Sequence, residues 1–407
     1  MGPDEPFARL RAVFRSVTFE LGINYWPRRS AMYMWRDFKL AEVRDEMVQI
    51  ADMGFDVVRV FALTQDFLPG PRTVATDMVS RLVDLVRAAK DAGLRVVPTF
   101  IVINMSGRMW WPEWMVDANG RTANLFSDPE ILLSQEMLVE VCASALSGDD
   151  SIRAFDLANE IDDAQRPKSR NAGRLWTSVL ATRIRSVAPG IPVRMGAHLP
   201  SLTTVNNMRI DDLAVVLDED VMHAYPLYCD AARSFLDLEL VPFACALTAG
   251  LSGTGRAAQM QEFGLCTAPY GAPGQTITDD FLGQPRLQYL ASEEEAATYC
   301  DEVLERLVRT GAGGAYVWCY GDYDARLFDR PPLATAVRER TFGLVRSDGS
   351  EKPAAAVFRK FRERRDAGKL VSSPVAAALD VTADQYYREP EMNFRRLYAS
   401  WLAERAL

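Results

Sequence analysis

The chain has 407 residues, 48% of them hydrophobic and 25% charged, as expected of a globular protein with one large core. A formal net charge of −9 repels phosphate backbones and argues against nucleic acid as a partner. No run of about 18 apolar residues is present, residues 1–20 lack the apolar centre of a signal peptide, and the six cysteines are scattered singly, so the expectation is a cytoplasmic protein without membrane association or disulfide framework.

Short apolar runs alternate with amphipathic stretches, the pattern of βα units around a parallel sheet. FELGINY (19–25) reads as the first strand, and KLAEVRDEMVQIADMG (39–54) as a helix ending at Gly54. DVVRVFAL (56–63) is the second strand, followed by a helix over 77–93, and LRVVPTFIVI (94–103) is the third. A helix over 127–146 starts with Ser and Pro, as helices do. The fourth strand is SIRAFDLA (151–158), followed by a helix over 170–187. PVRMGAH (192–198), EDVMHAY (219–225) and RAAQMQEFG (256–264) are strands five to seven. A helix over 293–311 leads into the eighth strand, GAYVWCYG (314–321), and a last helix covers 354–368. Eight strands, each followed by a helix or a long loop, predict an α/β fold of the (β/α)8 TIM barrel type over residues 1–368. No G-x-G-x-x-G follows the first strand, which removes the usual dinucleotide-binding open sheet. Residues 369–407 read as a linker and a C-terminal helical extension, with Phe394, Leu397, Trp401 and Leu402 on one side. That side is expected to pack on the barrel or on a second copy in a homo-oligomer.

In such a barrel the active site stands at the C-terminal ends of the strands. Those ends carry Asn24, Arg59, Asn104, Asn159-Glu160, His198, His223 with Tyr225, Glu262 and Trp318. Both histidines of the chain fall there, and Glu160 and Glu262 face each other from strands four and seven. Two carboxyls among amides and aromatics suit glycosidic bond cleavage: one protonated, to give a proton to the leaving oxygen, the other ionised, to attack the anomeric carbon or activate water. A separation of about 5–5.5 Å implies direct attack and retention, and about 6.5–9.5 Å implies inversion. Arg59 and Tyr225 are expected to donate to Glu262, Asn159 to bind the sugar 2-hydroxyl, and Trp318 to offer a flat face to the ring. Asn24, His198 and His223 join the expected sugar site, with Trp111 of the Trp110, Trp111, Trp114 cluster stacking at an outer subsite or packing under its loop. Asp322 and Asp324 read as turn residues, and Cys266 as a buried thiol.

As a set, these motifs resemble the clan A retaining glycoside hydrolases, most closely family 5 and its mannanase and β-mannosidase relatives. The matching residues are Asn159-Glu160 in DLANEID, Glu262 in QMQEFG, His223-Ala224-Tyr225, Arg59, Trp318 and the segment FGLVRSDGSEKPAA (342–355). The resemblance covers about residues 19–365 and implies Glu160 as acid/base and Glu262 as nucleophile. Many members continue Asn-Glu-Pro, where this chain has Ile161 and Asp162. The GINYWPR opening and the loop with three tryptophans favour, by resemblance, a β-mannoside first and a β-glucoside second. The expectation is a retaining β-glycoside hydrolase, exo-acting on short oligosaccharides because long loops at 64–76, 104–126 and 265–292 wall off one end of the cleft. No metal or cofactor is expected, since no H-x-H or H-E-x-x-H spacing occurs. The alternatives are a barrel that binds sugar without cleaving it, a β-glucosidase or transglycosidase, and a metal-dependent isomerase or lyase.

Overall fold

The computed structural model describes residues 19–281, 283–371 and 379–405. The N-terminal segment read for a leader, and 372–378 of the linker, lie outside the described residues. Eight parallel strands form the barrel: β1 (Glu20–Asn24), β2 (Val57–Leu63), β3 (Arg95–Val102), β4 (Phe155–Asn159), β5 (Val193–Gly196), β6 (Val221–His223), β7 (Gln259–Phe263) and β8 (Gly314–Val317). Their order is β5-β4-β3-β2-β1-β8-β7-β6. The ring closes between β5 and β6, where the His223 N–H donates to the Ala197 carbonyl at 2.8 Å and His198 bridges His223 in parallel. The barrel read in the sequence is the barrel observed.

All but one of the residues in these strands are buried, because helices cover the outside and side chains fill the inside. The covering helices are α1 (Leu40–Asp52), α2 (Thr76–Asp91), α3 (Pro129–Leu146), α4 (Arg170–Val187), α5 (Ile210–Val216), α6 (Leu240–Ser252), α7 (Glu293–Arg309) and α8 (Pro353–Asp366). Local signals start them where expected. Asp128 caps α3 through the Glu130 and Ile131 N–H groups, with Pro129 as first residue, and Ser292 with Glu295 forms a capping box on α7.

Two features differ from the sequence reading. Helix α6 falls in what reads as a loop, because it is apolar nearly all round and so lacks the one-sided periodicity that marks a surface helix. The reason is a second cover. The C-terminal helix α9 (Pro390–Arg405) lies over α6, with the ring of Phe243 packed 4.9–5.6 Å from those of Phe394, Tyr398 and Trp401. The apolar side of the C-terminal extension is thus used within the chain. The 265–292 loop contains a hairpin of Gln275–Phe281 with Gln284–Leu290, and the loop after β3 opens with a smaller one, Asn104–Met105 with Arg108–Met109. Both stand at the C-terminal rim. No helix among the described residues is long and apolar enough to cross a membrane.

Candidate functional site

The rim encloses a cavity of about 240 Å³, small beside the ~300–1,000 Å³ usual for ligand clefts. Glu160, Asn159, His198, His223, Tyr225, Glu262 and Trp318 all line it. Asn24 and Arg59 lie beneath, fully buried, and Trp111 does not line it. Trp110 and Trp114 are tied down through their indole N–H groups to the carbonyls of Met105 and Leu68. These two tryptophans therefore brace the 104–126 loop, and Trp111 is partly buried against the core. Asp322 is likewise structural, held by Lys352 Nζ at 2.7 Å, and the Cys266 thiol is buried with its pKa pushed far up by burial.

Arg59 organises the floor. Nη1 donates to Glu262 Oε1 at 2.5 Å and to Asn24 Oδ1 at 3.2 Å, Nη2 donates to Asn159 Oδ1 at 2.9 Å, and Nε donates to Asp156 Oδ2 at 2.8 Å and Thr99 Oγ1 at 3.0 Å. The strand register sets this up, since Asn24 pairs with Arg59 and His223 with Glu262 across the ladders. A buried guanidinium needs such partners, because unpaired charge inside a protein is costly. The other oxygen of Glu262, Oε2, accepts the Tyr225 hydroxyl at 2.8 Å. Glu262 therefore has a cation below it and a hydroxyl donor beside it.

Glu160 has different surroundings. Its Oε1 lies 2.8 Å from His223 Nδ1, and its Oε2 accepts from Asn104 Nδ2 at 3.3 Å. Burial pushes its pKa above the usual carboxylate range, against the opposing pull of His198 and Arg59. The histidine shows why the protonated acid fits. Burial lowers the pKa of His223 to about 4, so it is neutral and carries one N–H. Gln261 donates its Nε2 to Asp156 at 3.1 Å, which turns Oε1 towards His223 Nε2 at 3.0 Å. His223 then donates from Nε2, its Nδ1 is a lone pair, and the group facing that lone pair must donate. Protonated Glu160 does so. Gly196 makes room for this pairing, because a Cβ there would fall 2.8 Å from His223 Cε1.

His198 plays another part. It sits 3.0 Å from Asp162 Oδ2, which also accepts from Asn206 Nδ2 at 2.7 Å, and 3.7 Å from both Asp163 and Glu160. Burial opposes its charge, but these three carboxyl groups raise its pKa well above the ordinary value. Carboxylate and imidazole atoms of Glu160, Asp163 and His198, and of Glu160, His223 and Glu262, are close enough to hold an ion. His198 as imidazolium has no lone pair for one.

Reasoning from sequence missed Asp163, Gln261, Ser106, Arg338 and Glu339 at or under the cavity. Asp163 lies three residues after Glu160 and Gln261 directly before Glu262, so proximity to the named carboxyls was a usable signal. Arg338 and Glu339 sit in a short 3-10 helix, Val337–Arg340, well after β8 and carried none.

No protein-family model and no curated protein sequence matches the chain. Solved structures do. A GH5_18 protein of Streptomyces cattleya, solved with GlcNAc, is 22% identical with a TM-score of 0.78, covering 94% of this chain and 91% of that one. A variant of it was solved with Manβ1-4GlcNAc at 21% identity and a TM-score of 0.77, covering 94% and 92%. The exo-β-1,4-mannosidase Op5Man5 from Opitutaceae bacterium strain TAV5 is 24% identical with a TM-score of 0.73, covering 93% of this chain and 66% of that one. The family 5 resemblance read from the strand ends is thus a likeness of the whole fold.

Proposed function

We propose that the chain is a retaining β-glycoside hydrolase that removes the terminal sugar of short β-mannosides, or of β-glucosides, by double displacement. The observation that carries this reading is the pair of carboxyls: an oxygen of Glu160 and one of Glu262 lie within 4.8 Å of each other. That spacing lies on the short side of the two carboxyl separations and supports direct attack by a carboxylate. The two environments supply the two roles. Protonated Glu160 gives its proton to the glycosidic oxygen as the C–O bond breaks. Glu262 attacks the anomeric carbon and forms a glycosyl ester. Glu160, now ionised, takes a proton from water, whose oxygen displaces Glu262 from the same carbon. Asn159, fixed by Arg59, is turned to the sugar 2-hydroxyl, and Trp318 offers its face to the ring.

The small cavity supports action at a chain end. The Manβ1-4GlcNAc ligand and the exo-β-mannosidase among the similar structures support β-mannoside as first substrate, with an N-acetylglucosamine leaving group in reach. The six cysteines are all unpaired, which supports a reducing, cytoplasmic setting.

The test is a panel of 4-nitrophenyl β-glycosides, with the product anomer followed by NMR during early turnover. Release with a β-product is expected first from the mannoside, and an α-product refutes the retaining mechanism. Glu262→Ala should abolish turnover, and azide should restore part of it as an α-glycosyl azide. No release from any glycoside, with sugar binding intact, would instead identify a sugar-binding barrel.

A further inference from the structure

One wall of the cavity, lined by Ser106, Arg338 and Glu339, is polar and incompletely paired, and the mechanism above does not use it. Two rim segments meet to build it. The turn Ser106-Gly107, with φ of 51° and 76°, approaches the 337–340 segment so closely that a Cβ on Gly107 would lie 3.0 Å from Arg338 Nη2. Asp279, on the large hairpin, locks that segment: it accepts the N–H groups of Val337 and Arg338 at 2.8 and 3.0 Å and Arg338 Nη1 at 2.9 Å. The hairpin after β3 and the chain after β8 therefore meet in the cavity wall, braced by the hairpin after β7.

Within this wall, two groups face the cavity with hydrogen-bonding capacity to spare. Glu339 is 6% exposed. Its Oε1 meets only the long limits of hydrogen bonding, 3.4 Å from the Tyr228 hydroxyl and 3.4 Å from Arg338 Nε, and Oε2 accepts no bond among the described residues. Arg338 already serves Asp279. The Ser106 hydroxyl lies beside Glu339, buried and without a hydrogen bond of good geometry. Buried polar groups are almost always satisfied, so such a pair in a cavity wall calls for a ligand with hydroxyls. Phe281 and Phe342 supply the apolar surface between them.

The direction of the substrate follows from Glu160. It must face the leaving group, so that group lies beside Glu160, with Asp163, Leu199 and Pro200 around it. The wall built by the rim segments after β3 and β8 is then left for the sugar whose anomeric carbon reacts. We propose that Glu339, together with the Ser106 hydroxyl, binds the hydroxyls of that terminal sugar remote from the scissile bond, and so determines which glycone is accepted. This assignment rests on the glycosidase reading. It explains the exo action as a closed end that recognises a chain terminus.

The experiment is a substrate–variant cycle. The 4-nitrophenyl β-glycoside that the wild type cleaves best is compared with its 3-, 4- and 6-deoxy counterparts, on wild type, Glu339→Ala and Ser106→Ala. On the wild type, at least one deoxy substrate should lose roughly tenfold to a hundredfold in kcat/KM. Glu339→Ala should lose a similar factor on the parent and less than about threefold more on that deoxy substrate, because the contact is already gone. Ser106→Ala, a change that leaves the wall intact, makes the same comparison if Glu339→Ala does not fold. Losses that multiply independently on all three deoxy substrates in the folded variants overturn the assignment and leave the glycosidase reading standing. A wild type silent on every parent glycoside overturns both.

Discussion

Arg59 is the residue on which the two carboxyl environments depend, and its replacement by lysine tests that dependence. The side chain is fully buried and divides five hydrogen bonds among Glu262, Asn24, Asn159, Asp156 and Thr99. An ammonium keeps the charge but has three N–H bonds and no planar fork, so at least two partners are abandoned. At about 1.5–3 kcal/mol for each bond to a charged group, Arg59→Lys should lose roughly 3 kcal/mol or more of stability. Arg59→Met removes the charge and strands Asp156 and Glu262 together, at about 3–5 kcal/mol, a large share of a typical total of ~5–15 kcal/mol. Urea unfolding followed by tryptophan fluorescence reads the stability. A 2,4-dinitrophenyl glycoside reads the attack of Glu262 alone, since that leaving group needs no proton. There Arg59→Lys should fall by about 10²–10³ in kcat/KM, the usual loss when a preorganised charge contact is removed. An Arg59→Lys protein with an unchanged urea midpoint and kcat/KM within about threefold of wild type would refute the reasoning.

Glu160→Ala should depress cleavage of alkyl and disaccharide glycosides far more than that of dinitrophenyl glycosides, since a good leaving group departs without an acid; equal losses on both would remove Glu160 from that role. The alkaline limb of kcat/KM should lie above the ordinary carboxylate range, because burial favours the protonated form of Glu160 and activity is lost only as pH rises through its raised pKa. In His198→Asn the limb should move further up: a positive neighbour that lowers this pKa is lost, while Asp162, which raises it, stays. A limb that stays put or moves down in the pH–rate profile contradicts this sign. The Tyr387 hydroxyl accepts from the Ile210 N–H at 3.0 Å and donates to the Ser201 carbonyl at 3.0 Å, tying the C-terminal extension to the loop after His198. Tyr387→Phe should lower stability by about 1–3 kcal/mol in urea unfolding, the cost of two buried groups left unpaired.

What was legible in the sequence was what repeats or what is chemically rare. Eight apolar runs with helical spacers announce the barrel. In a chain with two histidines and few carboxyls at strand ends, Glu160, Glu262, His198 and His223 stand out by type and place. Element ends were legible only in part. Strand eight stops at Val317 rather than Gly321, because the apolar residues Trp318, Cys319 and Tyr320 are buried in irregular chain after it. Buried loop and buried strand look alike in composition. Helix α6 was hidden for the same reason, its polar side replaced by a face for α9. Asn24 closes β1 whereas Arg59 lies inside β2, and the depth of both depends on barrel tilt and stagger, which no local pattern encodes. Glu339 was beyond reach because it is brought to the cavity by Asp279 from another loop, a contact between segments with no shared periodicity.

Asn159 and Glu160 pose a geometric difficulty that the backbone resolves. Adjacent residues of a strand point to opposite faces, so two neighbours could not both serve one cavity if the strand simply continued. It ends instead at Asn159, whose side chain turns inward to Arg59. Glu160 then takes a left-handed conformation, φ 42° and ψ 44°, before the short helix Ile161–Ala164. For a residue with a Cβ that conformation costs about 1–2 kcal/mol, and a glycine would adopt it freely. The turn is held from both sides. The Glu160 N–H donates to the Gly196 carbonyl on β5, and the Glu160 carbonyl accepts from the Asp163 N–H, each at 3.0 Å. The carboxyl is thereby swung over the mouth to His223 and Asn104. Local preference is violated at the residue where the proposed chemistry requires an acid, and a ladder contact from the neighbouring strand holds it there. That is the pattern expected when strain is retained for a functional group rather than relieved by a smaller residue.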